Sequence, residues 1–328
     1  MASVSGTGDS VAVEDGSRKR DWGTRLVAFS NRIQLTYWLM MAGSRVASVL
    51  PLRLTYTVAS LIGDLTFYLW RTKHDAALAN MRHVLGPSAS DRHVWRTARA
   101  SYRNYLKYVV DFLRFSSMTV EDVRRATSVV GLEHLDRALA TGKGVIFATV
   151  HFGHFDLGAV VLALRGYPVN VVVDTFDPPK LNEAIQRQRT EKGVNIIPIE
   201  VAGRRVLRAL RQNQILGLVI DRPLPGEGVQ VNFCDGPVEV PAGAGTLALK
   251  TGAVVVTGYM VRESDNTFFG EVSPHITVEP SGELARDVEA ITQRIMSNLE
   301  ESIKQYPEQW YMFRRMWQDR GLQPGTAN

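Results

Sequence analysis

The sequence predicts an α/β protein: a central, mostly parallel or mixed sheet flanked by helices on both faces, with an N-terminal hydrophobic helical region in front of it. Three observations carry this reading. From Ser128 onward, short runs rich in valine and isoleucine alternate with helix-length segments, the pattern left by βαβ crossovers. Before Val129 there is no strand candidate, only apolar residues recurring at spacings of three and four. The 328 residues are 45% hydrophobic and 22% charged, which is enough to bury a sizeable core and too apolar for general disorder.

Taken in order, Met1 to Gly16 is small, polar and acidic, and Arg18-Lys19-Arg20 follows it rather than opening it. This is not the layout of a secretory signal, so residues 1–20 are expected to be a disordered tail. Leu26 to Trp70 is rich in Leu, Val, Ile, Trp, Tyr and Met but is interrupted by Arg32, Arg45, Pro51, Arg53 and Asp64. No uncharged run reaches the ~18 residues a spanning helix needs. Two helices are expected instead, from about Asp21 to Val49 and from Pro51 to Trp70, with Pro51 in a first-turn position where its missing N–H costs little. They fit either a membrane interface or a buried helical hairpin. The basic cluster and Tyr37, Trp38, Tyr68 and Trp70 favour the interface.

From His74 to Phe115 the pattern stays helical, with Trp95, Tyr102, Tyr105, Val109, Phe112 and Leu113 at helical spacing and a turn at Gly86-Pro87-Ser88. Ser128 to Val130 then reads as a short strand, Leu132 to Ala140 as a helix and Val145 to Val150 as a buried strand. Helices are expected at Phe155 to Leu164, Lys180 to Lys192 and Arg204 to Asn213, between strands at Val169 to Val173, Asn195 to Ile199 and Ile215 to Ile220. Beyond Gly228 come a strand at Val229 to Phe233, a helix around Gly243 to Thr251, strands at Val254 to Val261 and Phe268 to Val272, and an amphipathic helix from Leu284 to Gln305. The expected organisation is a tail over 1–20, a helical membrane-associated region over 21–125, an α/β domain over 126–318 and a flexible tail over 319–328.

A formal charge of +5 favours an anionic partner without choosing its kind. The single cysteine, Cys234, excludes an internal disulfide framework and a multi-cysteine zinc site. Thr141-Gly142-Lys143-Gly144 lacks the first glycine of a phosphate loop and leads into a strand, and no Gly-x-Ser-x-Gly elbow offers a serine nucleophile.

The most informative stretch is His151-Phe152-Gly153-His154-Phe155-Asp156, directly after a buried strand and at the start of a helix. Ligands of open α/β sheets sit at the carboxyl ends of strands. His151 is therefore a candidate general base, with Gly153 allowing close backbone approach and Asp156 placed to hold Nδ1 and leave Nε2 free. A metal site built from His151, His154 and Asp156 is the second reading. A further constellation, Asp221-Arg222-Pro223-Leu224-Pro225-Gly226-Glu227-Gly228, follows another buried strand, where Arg222 could meet a phosphate or an oxyanion and Glu227 could support His151. Arg187, Arg189 and Lys192 on one helix, and Arg204, Arg205, Arg208 and Arg211 on the next, form either solvated faces or a basic rim.

With these residues the sequence resembles the bacterial lipid A late acyltransferases and the related phosphatidylinositol mannoside acyltransferases of the lysophospholipid acyltransferase superfamily, whose mark is His, four residues, then an acidic residue. Asn80-Met81, Arg189 followed by Gly193, Asp221-Arg222, Val229 to Phe233 and Pro241-Ala242-Gly243 accompany that motif, and Tyr306-Pro307-Glu308-Gln309-Trp310 leads to Arg314-Arg315-Met316-Trp317. The resemblance runs from about Arg25 to Trp317. It implies transfer of a fatty acyl group from acyl-CoA or an acyl-carrier protein, as co-substrate, to a lipid or glycolipid hydroxyl, with no bound metal or cofactor and no nucleic acid partner. It makes His151 the base, Asp156 its orienting acid and Glu227 the nearest candidate for a supporting glutamate. Arg189, Arg222, Asp174, Phe152 and Gly153 become candidate substrate-binding residues, with an apolar acyl channel lined by Phe152, Phe155 and residues of the first helices. The implied location is the cytoplasmic face of the cell inner membrane, peripheral or monotopic. Two other readings are a non-catalytic lipid-binding homologue and a metal-dependent hydrolase.

Overall fold

The structure, a computed structural model, describes residues 35–222 and 228–317. Its first element, α1, is helical over 35–49, and Pro51 then stands just ahead of α2 (Leu52–Leu69) as its N-cap. The first of the two expected helices is thus described from residue 35, and its earlier part lies outside the described residues. On α2, Tyr56, Ala59, Gly63 and Phe67 face inward at helical spacing. Leu54, Val58, Leu61, Ile62, Leu65 and Leu69 form an exposed stripe on the other side. A helix that shows water such a stripe is incomplete without an apolar covering.

Helix α3 (Arg71–Leu85) leads through a turn to α4 (Asp91–Arg114), whose N-cap Ser90 accepts a hydrogen bond from the His93 N–H. Helices α2 and α4 pack closely because Gly63 leaves no room for a side chain: a Cβ there would lie 2.9 Å from Arg103 Cα. Arg99 and Arg103 both clasp the Asp64 carboxylate across this contact, at 2.6–2.8 Å and 2.5–2.6 Å. Helix α5 (Val120–Ala126) opens with a capping box between Thr119 and Asp122. Among the described residues, no helix is long and apolar enough to cross a membrane.

The remainder is the expected α/β arrangement. Strands β1 (Thr127–Val130), β2 (Val145–Thr149), β3 (Val169–Val173), β4 (Asn195–Pro198) and β5 (Ile215–Val219) alternate with helices α6 (Leu132–Leu139), α7 (Phe155–Leu164), α8 (Pro179–Thr190) and α9 (Ala202–Arg211). A hairpin of β6 (Gly228–Phe233) and β7 (Gly236–Pro241) follows, then α10 (Gly243–Thr251), β8 (Val254–Arg262), β9 (Phe268–Val272) and α11 (Leu284–Gln305). The seven-stranded sheet has the order β1-β9-β8-β2-β5-β3-β4. Its strands from β8 to β4 are parallel, and β9 pairs antiparallel to β8 while carrying β1 in parallel at the edge.

Alternation along the central strands divides the core. Val145 and Ile215 face a cluster with Leu135, Leu157, Val160 and Val161 of α6 and α7. Ile146, Ala148 and Leu216 face the opposite cluster with Leu210, Ala244, Ile295 and Leu299 of α9, α10 and α11. Strand β7 is the element the sequence reading lacks. Pro237 and Pro241 argue against a strand there, yet β7 pairs with β6 outside the main sheet, where proline is tolerated. The turn between them, Cys234-Asp235, takes φ of 45° and 59°, the doubly left-handed form that closes two-residue hairpins.

Candidate active site

Strand β2 ends at Thr149, and the chain turns through Val150 to His151 at the carboxyl edge of the sheet. The turn is held by close backbone contacts. Gly153 has φ +58°, and a Cβ on it would stand 1.9 Å from the Met260 carbonyl oxygen, so only glycine fits. Its N–H donates to the Gln309 carbonyl at 2.8 Å, and the Tyr311 N–H donates to the His151 carbonyl at 2.9 Å. Between them, Phe152 and Trp310 form an antiparallel bridge. The segment after α11 is thus a strap laid against the histidine turn. Asn80 of α3 pins that strap by donating to the Met312 and Arg314 carbonyls at 2.8 and 2.7 Å and accepting from the Met316 N–H at 3.1 Å. Gln309 is clamped in turn to Arg262, at the end of β8, by two side-chain hydrogen bonds.

The imidazole partner is Asp221, and here the structure corrects the expectation for Asp156. His151 Nδ1 lies 2.6 Å from Asp221 Oδ1, and the His151 N–H donates to Oδ2 at 3.0 Å. The indole N–H of Trp310 reaches the same Oδ2 at 3.4 Å. Strands β2 and β5 pair in register up to Thr149 and Val219, so the residues two positions beyond each strand end meet. Burial works to raise the Asp221 carboxyl, and the facing His151 with its two hydrogen bonds outweighs it, holding the group below the usual carboxylate range. An ionised Asp221 fixes the tautomer with hydrogen on Nδ1 and leaves Nε2 as the acceptor.

Asp156 faces the other way, from the first turn of α7 toward α4 and α8. It accepts from Tyr108 Oη at 2.6 Å and from Arg189 Nε at 2.7 Å. Burial again favours the neutral acid, but the Arg189 guanidinium and the Tyr108 hydroxyl hold it ionised. Arg189 also donates to Gln186 and lies over the Phe112 ring at 5.4 Å. The arginine expected to hold a phosphate is therefore a nearly buried counter-charge for Asp156.

His154 is buried and caps α7, its Nδ1 accepting from the Leu157 N–H at 3.2 Å. Burial pushes its pKa down to about 4. Its Nε2 stands 3.9 Å from Asp111, whose carboxylate is held by Arg262 and Tyr56. His151, His154 and Asp156 thus point to three different sets of partners, and the described residues contain no group of three or more histidine, cysteine, aspartate or glutamate side chains able to hold a metal ion.

A cavity of about 750 Å³ opens beside His151, within the roughly 300–1,000 Å³ range of small-molecule sites. Tyr105, Tyr108, Phe155 and Tyr311 line it beside His151, and an apolar arm runs between α7 and the sheet along Phe147, Gly158, Val161, Val171 and Gly217. Arg222 and Asp174 line it as expected. Phe152 does not: it is fully buried and packs against Tyr259, which itself lines the cavity. Gly153 contributes its backbone turn, not a cavity wall. Glu227 lies outside the described residues. Sequence reasoning missed the pairing of Asp221 with His151, and also Tyr108 and Trp310. Its only available signal for Asp221 was that both it and His151 follow buried strands.

A histidine paired to a buried carboxylate at the carboxyl edge of an α/β sheet, beside an apolar cavity, is the layout of an enzyme site that combines a general base with an apolar substrate. The chain belongs to the bacterial lipid A biosynthesis acyltransferase family, whose model matches residues 25–319. It is 30% identical over 224 residues to a phosphatidylinositol mannoside acyltransferase of Mycobacterium tuberculosis (strain CDC 1551 / Oshkosh), covering 66% of this chain and 69% of that protein. It is 29% identical over 223 residues to the protein of the same name from Mycolicibacterium smegmatis, covering 67% and 71%. The chain is thus an acyltransferase acting on lipid or glycolipid hydroxyls.

Proposed function

We propose that the protein moves a fatty acyl chain from an acyl-CoA, or from an acyl-carrier protein, to a glycolipid hydroxyl by direct attack on the thioester. The observation that carries this is His151, paired to Asp221 and turned into the mouth of an apolar cavity. His151 Nε2 takes the proton of the acceptor hydroxyl as its oxygen attacks the carbonyl carbon, and Asp221 steadies the imidazolium that forms. The imidazolium then returns the proton to the departing thiolate. Asp156, Arg189 and Tyr108 hold the start of α7 and one wall of the mouth, so their role is positioning. The acyl chain occupies the arm under α7, and Arg222 faces the polar end of the substrates. The relatives' names favour a mannosylated phosphatidylinositol as acceptor.

The exposed stripe of α2, together with Trp38, Leu39 and Val46 of α1, would seat residues 21–125 on the cytoplasmic leaflet of the cell membrane, in its interface, with 126–318 as the catalytic unit. Burial of such a stripe among lipid headgroups is the mode of a monotopic enzyme. The test is to incubate the protein and its His151→Ala variant with labelled palmitoyl-CoA or palmitoyl-carrier protein and a panel of lipid acceptors. Label should enter the lipid fraction with the parent and fall by at least ~10²-fold in the variant. Equal transfer by both would overturn the mechanism.

A further inference from the structure

We infer that the Thr149 hydroxyl, together with Nε of Arg222, forms the oxyanion site of the acyl-transfer step. The inference rests on the acyl-transfer reading of the same cavity. Buried polar groups are almost always paired, so each exception calls for an explanation. Among the described residues, five buried side-chain atoms have no hydrogen-bond partner: Tyr102 Oη, Thr149 Oγ1, His154 Nε2, Gln188 Oε1 and Arg222 Nε. Of these residues, only Thr149 and Arg222 line the cavity that holds His151. Both can donate.

Their position along the chain fits what the chemistry needs. Phe147 and Thr149 share one face of β2 and both line the cavity, Phe147 in the apolar arm and Thr149 about 7 Å further along at strand spacing. His151 stands at the mouth, two residues beyond. A substrate with its hydrocarbon tail along the arm and its reacting carbon beside His151 would bring the carbonyl oxygen past Thr149. Arg222, three residues beyond the end of β5, which pairs with β2, lines the same cavity. The Thr149 carbonyl accepts from the Ile220 N–H at 2.9 Å, so the end of β2 is fastened to the segment that delivers Asp221 and then Arg222. Preorganised donors without a resident partner are what a developing oxyanion requires, because they need not break an existing bond when charge appears.

The step balances as follows. The acceptor O–H proton passes to His151 Nε2 while its oxygen bonds to the thioester carbon. The carbonyl π pair moves onto oxygen, where the Thr149 O–H and Arg222 Nε–H hold it. Collapse re-forms the carbonyl, breaks the carbon–sulfur bond, and the thiolate takes the proton back from His151.

The test uses the full chain with Thr149→Val, which keeps the shape and removes the hydroxyl, and Thr149→Ser, which keeps a hydroxyl. With palmitoyl-CoA and phosphatidylinositol mannoside, Thr149→Val should lower kcat by about 10²–10³-fold, leave KM for palmitoyl-CoA within about 3-fold, and melt at the same temperature or higher, since an orphan hydroxyl has been removed. Thr149→Ser should keep kcat within about 10-fold. A trifluoromethyl-ketone analogue of palmitoyl-CoA, whose hydrate mimics the tetrahedral carbon, should lose about 10²-fold in affinity for Thr149→Val, while the thioether analogue without a carbonyl binds unchanged. The inference is overturned if Thr149→Val turns over within 2-fold of the parent, or if the thioether analogue weakens as much as the ketone. The two failures are distinguishable: an active parent, a silent His151→Ala and an active Thr149→Val sink the oxyanion site alone, whereas a parent silent with every acceptor removes the acyl-transfer reading and this inference with it.

Discussion

Asp221 and Asp156 are two buried carboxylates with different partners, and removing their charges should have different consequences. Asp221→Asn keeps a hydrogen-bond acceptor for Nδ1–H but removes the charge that, on the proposed mechanism, steadies the imidazolium, so kcat should fall by about 10²–10⁴-fold with little change in KM. Asp156→Asn leaves Arg189, whose side chain is 11% exposed, buried without its counter-charge, and should cost about 3–5 kcal/mol of stability, read from urea unfolding. His154 supplies a pH signature. An unfolded histidine titrates near 6.5 and the folded His154 near about 4, so between these values the unfolded chain binds the extra proton. Stability is full above about pH 6.5 and declines toward pH 4 by roughly 3 kcal/mol. His154→Asn keeps the cap acceptor and should flatten that decline in unfolding midpoints measured across the range. At this scale the sequence was legible for His151, whose place after a buried strand is a local property. It was not legible for the imidazole's partner: Asp156 is near in sequence, while Asp221, 70 residues away, is near only after β2 and β5 pair.

At the scale of elements the strands were readable, because β2, β3 and β5 are short, mostly apolar runs in the interior of the sheet. Strand β7 was not, since its prolines speak against a ladder and only its partner β6 tells otherwise. Nor does the sequence say why Asn80 stands inside α3. In the structure it fastens the strap, and the strap carries Trp310 to Asp221 and a ladder to the histidine turn. Asn80→Ala removes three hydrogen bonds from a buried site and should destabilise the protein by about 2–4 kcal/mol, measured by denaturant unfolding. It should also lower kcat at temperatures where the fold is intact.

At the scale of the molecule, the stripe on α2 has no covering among the described residues, and its reading as a membrane seat has a direct check. Leu61→Asn with Leu65→Asn removes two exposed leucines, each worth about 1.5–3 kcal/mol if fully buried. Co-sedimentation with phosphatidylinositol-containing vesicles should weaken by at least ~10²-fold, with melting temperature unchanged because neither side chain is in the core. The mixed sheet was legible as a class from its alternating elements. The division between its two faces was not, because it depends on which helices cross on which side.

The strap also sets an order of events during synthesis. His151 and Asp221 leave the ribosome well before Gln309, Trp310 and Tyr311, so a nascent chain already carrying the proposed base lacks the carbonyl that accepts from the Gly153 N–H, the indole that reaches Asp221 and the Tyr311 wall of the cavity. On the proposed mechanism, competence for acyl transfer therefore waits until the strap has been made. A nascent chain already touching the lipid surface through α1 and α2 would meet its substrates before it could act on them.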